Sequence, residues 1–534
     1  MGIKIPMFGS KKTEEKERQY PVININPEIP PLPRYSDKTK IDVRYVVISP
    51  FVSIHIYWDE EKSELLYNIE EPILTEPEKK SLEQISLGMT EMINLGMVEN
   101  KDQESLLKYL DQMARILISE LGLNLSHEKY ERIFYYLYRD FVGFNEIEPL
   151  LRDFFIEDIE CNGKGTPLYI VHRVYRNLKT NLTYQNVNDL ASFVEKLAQR
   201  CGRYISYASP LLDGTLPDGS RVNATYTADV SSKGPTFTIR KFTSIPWTPI
   251  QLLSLNTLSP EMLAYFWILM EYKCNILITG GTGSGKTSLL NAIAFFIPPE
   301  ARVVSIEDTR EINLPRENWL PSVARTGLGK TGEIDLFMLL KESFRQNPDY
   351  VIVGEVRGKE AFVLFQGMAS GHPSISTIHA DSIETVIRRL ETPPISLNPT
   401  LVNTLDAVAV MTHAIIKNRE TRRLREIVEV IEVTPDGLAV TNTPFSWDPK
   451  EDSFYFKTQS KVFEKICKRY GLSKEQLLNE FEIRTKILYE LFKRKIFEYE
   501  KVQKVVNDYY KHPKSVISEY LGQSISKQGP NNSK

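Results

Sequence analysis

The order of apolar and polar positions changes character several times along the chain. Two β-rich runs, VRYVVISPFVSIHIYW and SELLYNIEE, flank the acidic turn DEEK. From Glu76 to about Phe144 the period becomes helical. Leu107, Leu110, Ala114, Leu117 and Leu121 recur on one face, which predicts the buried stripe of a small helical bundle. Between Ile147 and Phe242, the strands PLYIVHRVY and GPTFTIRKF accompany one clear helix. Leu190, Phe193, Val194, Leu197 and Ala198 form its inner face, and Asp189 or Asn188 is placed to cap it. The Pro-Asp-Gly of LPDGSRVN predicts a turn that opens a strand. From about Ser259 to Asp448, apolar β runs alternate with helical segments, the pattern of a mostly parallel sheet. Ser473 and Gln476 then make a capping box ahead of a long helix with Leu477, Phe481, Leu488 and Phe492 on one side.

These changes divide the 534 residues as follows. A charged, then proline-rich lead-in covers 1–35, and an N-terminal β and helical-bundle domain covers 36–145. An α+β domain spans 146–242 and a proline- and serine-containing linker 243–258. The α/β nucleotide domain runs over 259–450, a helical region over 451–522, and a polar tail over 523–534. A chain of this length is expected to hold three or four domains. No internal repeat is visible.

Composition narrows the class. The net charge of −3 argues against a non-specific nucleic-acid binder, which would carry a basic excess. Cys161, Cys201, Cys274 and Cys467 are scattered without a C-x-x-C pair, so a reducing cytoplasm is expected rather than a disulfide framework or zinc site. The first twenty residues lack the apolar core of a signal peptide, and Pro6 stands where a myristoylation motif needs Ser or Thr. The run Leu401–Ile416 is too short to span a bilayer and contains Asp406 and His413. Recruitment to a membrane is therefore expected to come through a partner.

Four clusters carry chemistry. Gly280-Gly281-Thr282-Gly283-Ser284-Gly285-Lys286-Thr287 matches G-x-x-x-x-G-K-[ST], with Ser288 following, between the β run CNILIT and the helical SLLNAIAFF. Glycines let successive N–H groups face phosphates; Lys286 reaches the β/γ phosphates of ATP, and Thr287 offers a hydroxyl to Mg²⁺. In VVSIEDTREINLP, a β run ends in Glu307 and Asp308, with Glu311 beyond. Carboxylates at a strand's C-terminal end sit where α/β sheets bind ligands, and they could hold metal-bound water. On its own this cluster fits a solvated turn equally well. In RQNPDYVIVGEVRG, Gly354 stands where many NTPases end the strand in Asp, and Glu355 follows. Glu355 is the leading candidate to orient or deprotonate the hydrolytic water. In GHPSISTIHADS, His372 and His379 flank a short β run and could sense a γ-phosphate.

In this order and spacing, the four clusters resemble the secretion and pilus-assembly ATPases of the type II/type IV secretion superfamily, archaeal branch. The segments that carry the resemblance are the Walker A loop, the Asp box SIEDTRE, the atypical Walker B VIVGEVRG and the His box GHPSISTIHA. The upstream LPDGSRVN and FTIRKF fit as well, and the four-cysteine insertion of the bacterial type II branch is missing. The resemblance implies a RecA-like P-loop NTPase domain preceded by a PAS-like α+β domain and an N-terminal helical domain, with a helical C-terminal tail. It implies a homo-hexamer with ATP near subunit boundaries and Mg²⁺ held with Thr287, Glu307 and Glu355. By motif match it makes Arg221 and Arg240 the arginines that complete the site.

Under that resemblance the chain is a cytoplasmic motor, peripherally recruited to the membrane. It would act on a polytopic inner-membrane platform protein, and through it on pilin-like subunits. The general pattern and the loop GGTGSGKTS lean towards a pilus, with an archaellum-type filament and protein secretion left open. A RecA-like nucleic-acid translocase would be expected to show basic, aromatic-studded strand-binding surfaces. An ATP-gated scaffold without turnover sits poorly with intact Lys286, Thr287 and Glu355.

Overall fold

The architecture is that of a computed structural model. It describes residues 21–30, 32–33, 35, 37–92, 103–242, 246–314, 316–325, 332–416, 419–434 and 438–522. The chain forms two compact units that divide between Lys241 and Phe242.

Among the described residues, the first unit holds nine strands in one sheet. They are β1 (Asp42–Ile48), β2 (Val52–Asp59), β3 (Glu64–Glu70), β4 (Ile156–Cys161), β5 (Pro167–His172), β6 (Arg176–Thr183), β7 (Leu211–Thr215), β8 (Arg221–Thr225) and β9 (Thr236–Arg240). Their order is β1-β2-β3-β6-β5-β4-β9-β8-β7. All pairings are antiparallel except β3 with β6, where Leu66 meets Lys179 and Tyr67 meets Thr180. That junction carries the sheet across the boundary expected at 145/146, so the N-terminal strands and the α+β segment share one core.

Helices α1 (Glu76–Met92), α2 (Gln103–Glu120), α3 (His127–Leu137), α4 (Glu148–Arg152) and α5 (Val187–Arg200) complete the unit. A π-helical turn, Tyr138–Val142, continues α3. Leu107, Leu110, Ala114 and Leu117 are buried as the helical period requires. Leu121 departs from that stripe: α2 stops at Glu120, Gly122 turns the chain with φ +64°, and the leucine points outward. The five inner-face residues of α5 are all buried, but Asn186, not Asn188 or Asp189, caps the helix by accepting from the Asn188 N–H. The cap must lie outside the helix with extended backbone, and Asn186 does so at φ −108°, ψ 131°.

The second unit contains β10 (Ile276–Thr279), β11 (Val303–Glu307), β12 (Trp319–Val323), β13 (Tyr350–Val353), β14 (Ser374–Ile378), β15 (Ala407–Ile416), β16 (Arg419–Val433), β17 (Ala439–Asp448) and β18 (Ser453–Phe456). The order is β12-β11-β13-β14-β10-β15-β16-β17-β18. Pairings from β12 to β15 are parallel, and those from β15 to β18 antiparallel. Every residue of β10, β11, β13 and β14 is buried, as parallel strands covered on both faces must be.

Its helices are α6 (Pro249–Ser254), α7 (Pro260–Glu271), α8 (Lys286–Ala294), α9 (Leu336–Ser343), α10 (Glu360–Ala369), α11 (Ile383–Glu391) and α12 (Pro399–Val402). The C-terminal set is α13 (Lys461–Tyr470), α14 (Lys474–Lys493), α15 (Tyr499–Lys511) and α16 (Pro513–Leu521). The Ser473–Gln476 capping box opens α14, and Leu477 and Leu488 are buried, with Phe481 and Phe492 packed beside them. These C-terminal helices share the core of the nucleotide segment. Buried Arg484 donates to Glu271 of α7 and lies over the Trp267 ring. In α7, Met262 to Met270 are all buried, which only a helix covered on every side can satisfy. Among the described residues, no helix is long and apolar enough to cross a membrane.

In the first unit, Asp153 accepts from the Tyr45 and Tyr67 hydroxyls at 2.6 Å each. Beside them His172 is buried, and its Nδ1 accepts the N–H groups of Val174 and Tyr175 at 3.1 Å each. That assigns the ring proton to Nε2. Burial pulls its pKa down to about 4. The unfolded imidazole protonates near pH ~6.5, so this contribution to stability is present above that pH. It is lost as the pH falls through about 4. His172→Asn keeps an acceptor without titrating. Urea denaturation should therefore show a shallower loss of stability between pH ~7 and ~4.5 in the variant, by about 2–3 kcal/mol.

Candidate functional site

The site is built where β10 leaves the sheet. Gly280, Gly283 and Gly285 have φ of +152°, +70° and +94°, conformations that favour glycine, and they fold the chain back before α8. A Cβ on Gly280 would lie 2.5 Å from the Met411 carbonyl oxygen and 2.5 Å from Ser284 Oγ. Gly281, Thr282 and Gly283 form the exposed rim, while Ser284 is buried and donates to the Gly281 carbonyl at 2.8 Å. Gly285 is the N-cap of α8 and leaves its first turn without a side-chain cap. N–H groups presented this way bind anions. Lys286 is buried and donates to the carbonyls of Gly280 and Gly281 at 3.0 Å each. Burial lowers its pKa, opposed by the nearby Glu355 and Glu311 carboxylates. Ser288, half-buried, follows in the first turn of α8.

Three strands away, beyond β14 and β13, β11 ends in Glu307. Its Oε1 accepts the N–H groups of Glu311 and Ile312 at 2.8 Å each, tying the following turn to the strand. Burial, the largest influence, pushes its carboxyl up to about 8 against the pull of those donors. The turn returns Glu311 to the P-loop helix, where Thr287 Oγ1 donates to Glu311 Oε2 at 2.9 Å. Asn291 of α8 holds the same turn, donating to the Glu311 carbonyl at 3.2 Å and accepting from the Asn313 N–H at 3.1 Å. Gly354 explains why β13 does not end in Asp: a Cβ there would meet Glu307 Cγ at 3.2 Å.

Glu355, His379 and Lys286 are brought together. His379 Nε2 lies 3.3 Å from Glu355 Oε1, and its Nδ1 lies 3.3 Å from Lys286 Nζ. The ammonium can only donate, which assigns Nδ1 as acceptor and puts the ring proton on Nε2; Glu355 Oε1 is nonetheless buried without a hydrogen-bond donor. Burial lowers the imidazole pKa, and the charges of Lys286, Arg357 and Arg389 add to the effect. Arg357 Nη2 donates to Glu355 Oε2 at 2.7 Å.

His372 is not part of this cluster. It precedes β14, at the opposite end of the strand from His379, and its ring packs 5.0 Å from that of Phe344. Arg221 and Arg240 are directly opposite each other on β8 and β9 in the first unit. Asp213 holds Arg221 through two hydrogen bonds, at 3.1 and 2.9 Å, and Asp158 holds Arg240 at 3.1 Å.

Of three further residues near the loop, Glu311 was named from the sequence only as following Glu307 and Asp308, and Arg357 and Arg422 were not singled out. Glu311 shares the Asp box with Glu307, and its spacing gives no sign of which acid faces Thr287. Arg357 belongs to the quoted GEVRG. Arg422 lies on β16 opposite His413, and its Cδ would be 3.3 Å from a Cβ on Gly285. Its approach depends on a strand pairing that no local motif announces.

Fold and site together define a mixed α/β protein with a P-loop at the carboxyl end of a parallel sheet. The family model for type II/IV secretion system proteins matches residues 157–470, and the chain belongs to that family. An uncharacterized protein of Methanocaldococcus jannaschii is 35% identical over 521 residues, covering 95% of this chain and 92% of the relative. The type IV secretion system protein PtlH of Bordetella pertussis is 34% identical over 233 residues, covering 39% of this chain and 68% of that protein. Among solved structures, the Legionella pneumophila ATPase DotB is similar over 67% of this chain and 92% of its own, with 17% identity and a TM-score of 0.37.

The loop geometry separates two neighbouring glycines. Gly280→Ala forces a methyl against the Met411 carbonyl and should cost about 1–3 kcal/mol. Gly281→Ala meets nothing within 4 Å and should stay within about 0.5 kcal/mol of wild type. Chemical denaturation followed through the second unit compares them.

Proposed function

We propose that the chain is an ATPase motor that powers a type IV pilus-like filament or type II-like secretion. In this reading it works as a homo-hexamer of RecA-like domains preceded by PAS-like ones, on a membrane platform protein. The observation that carries the nucleotide chemistry is the convergence of Lys286, Glu355 and His379 within 3.3 Å contacts at the P-loop. The family membership and the secretion and conjugal-transfer names of its relatives support the assignment to such a machine.

The residues fit ATP and magnesium. Uncapped N–H groups of α8 suit phosphates, and Thr287 beside Glu311 offers a hydroxyl and a carboxylate. Among the described residues, no three His, Cys, Asp or Glu side chains converge as a metal cage. A site that shares its ion with phosphates needs only one or two carboxylates. Bound Mg²⁺ would neutralise charge developing on the β and γ oxygens. Lys286 exchanges its two carbonyl partners for phosphate oxygens. Glu355 orients the attacking water and takes its proton, while Arg357 fixes one carboxylate oxygen and leaves the other, beside His379, without a protein donor. Glu307 shapes the turn that sets Glu311 against Thr287, so its part in catalysis is to position rather than to bind metal directly. Arg221 and Arg240 deliver positive charge to the γ-phosphate when subunits close.

Lys286→Ala should abolish hydrolysis and greatly weaken nucleotide binding. Glu355→Gln should keep binding but lower turnover by roughly 10²–10⁴, since the amide accepts no proton. Glu307→Gln should be milder. Calorimetric ATP binding beside a phosphate-release assay gives both readouts, and wild-type turnover in Glu355→Gln would move the base role elsewhere.

Ring formation has its own signature. Specific activity of the full chain should rise with protein concentration, and Arg221→Ala or Arg240→Ala should each cut it by up to roughly 10³. Sedimentation with and without a non-hydrolysable ATP analogue follows assembly directly. A fully active monomer would overturn the hexameric motor.

A further inference from the structure

The strands on the two flanks of β10 bring different chemistry to the P-loop. In the sheet order, β14 lies on one side of β10, and β15 followed by β16 lies on the other. Lys286 turns to the β14 side, where its Nζ lies 3.3 Å from His379 Nδ1. Arg422 meets the loop from the β16 side.

Consecutive residues of a strand point to opposite faces, and Arg422 and Arg423 divide accordingly. Arg423 is buried and holds Asp452 through two hydrogen bonds, at 2.8 and 2.9 Å. Its Nη1 donates to the Leu255 carbonyl at 3.1 Å and to the Arg422 carbonyl at 3.0 Å, which fixes the backbone from which Arg422 projects. The Arg422 stem runs beside the glycine that caps α8: a Cβ on Gly285 would lie 3.3 Å from Arg422 Cδ and 3.9 Å from its Cβ. The guanidinium starts at the next atom, and that atom, Nε, is buried without a hydrogen-bond partner. Carboxylates close by in the hairpin are engaged elsewhere. Glu420 lies 3.6 Å from His413, Glu426 accepts from Arg425 at 2.6 Å, and Asp452 belongs to Arg423. A buried, unmatched N–H on a permanent cation carries a desolvation cost that an incoming anion recovers.

We propose that Arg422 binds the α-phosphate of the nucleotide, donating from Nε and one Nη to its non-bridging oxygens. The inference rests on the nucleotide reading of the P-loop. In that reading Lys286 answers the β and γ phosphates, and Arg221 and Arg240 the γ-phosphate, which leaves the α-phosphate to backbone donors at the start of α8. Arg422 lies on the flank away from Glu355 and His379, against the residue that opens that helix, and its planar fork suits two oxygens of one phosphate. The contact serves binding. The α-phosphate keeps its charge while the γ-phosphoryl group is transferred, so the interaction is as strong in the ground state as in the transition state.

Arg422→Gln in the full chain removes the charge, keeps a polar side chain and separates this contact from its alternatives. Calorimetry should show ADP and a non-hydrolysable ATP analogue each binding roughly 10–100-fold more weakly. A phosphate-release assay should show KM rising by a similar factor with kcat little changed. Arg422→Lys, a point charge without the planar fork, should recover part of the ADP affinity. Weaker binding of the ATP analogue with ADP spared, together with a lower kcat, would place the guanidinium on the γ-phosphate and overturn the assignment. Unchanged ADP affinity in Arg422→Gln overturns it too. If Arg422→Gln does not fold, Arg422→Lys decides alone: weaker ADP binding at unchanged kcat upholds the contact, and wild-type affinity removes it. A wild-type chain that binds neither nucleotide would instead sink the reading of the P-loop itself, and this contact with it.

Discussion

The backbone of Gly280 passes so close to Met411 that no side chain fits between them, and the nucleotide side of the second unit depends on that approach. β10 pairs with β15 from Ile276↔Ala407 to Thr279↔Val410, so Met411 is the next residue along and its carbonyl meets the loop at its first turn. The pairing of β15 with β16 shifts register between Val410 and Met411, an irregularity that re-aims the strand beside the loop. On the other side of β10, Thr279 Oγ1 donates to the Ala380 carbonyl at 2.6 Å and fixes the end of β14. His379 is thereby held one residue from the strand that starts the P-loop. The loop's shape is set by its neighbours as much as by its glycines.

A second constraint runs through Gly354. Because Gly354, directly after β13, has no side chain, Glu307 of β11 can lie beside it and reach the backbone of Glu311 and Ile312. A carboxylate on β13 in place of that hydrogen would crowd Glu307, whose own carboxyl is already pushed up by burial. The acid is displaced one residue along, to Glu355, where Arg357 holds it and His379 lies 3.3 Å away. The atypical end of this strand and the long Asp box are therefore one adaptation: the turn that Glu307 secures carries Glu311 to Thr287.

Local chemistry was legible in the sequence. The P-loop, the α5 face, the α14 capping box and the parallel sheet all follow from short-range spacing, and each is present. What was not legible depends on contacts distant in sequence. The parallel pairing of β3 with β6 joins segments more than 100 residues apart, so composition suggested a boundary where a sheet continues. The C-terminal helices read as a separate region because their capping and periodicity are self-sufficient. Contacts distant in sequence, such as that of Arg484 with Glu271 and of Tyr510 with the Phe296 carbonyl, show that they close the core. His372 and His379 looked equivalent as the ends of one β run, but a strand's two ends lie on opposite edges of its sheet.

Arg221 and Arg240 make the last step of this argument from the first unit. Like charges directly opposite on neighbouring antiparallel strands are unfavourable, yet these two guanidinium groups are paired by register. Asp213 and Asp158 offset the repulsion, one to each arginine. Arg221 is 44% and Arg240 64% exposed, and at such exposure an ion pair contributes only about 0–1 kcal/mol. The arrangement is a poor device for stability. It does keep two cations adjacent, oriented and cheap to release to a stronger anion. In the proposed motor that anion is the γ-phosphate. The aspartates would then hold the arginines in register between encounters, so that approach to phosphate exchanges weak partners for a charge-assisted one without refolding either strand.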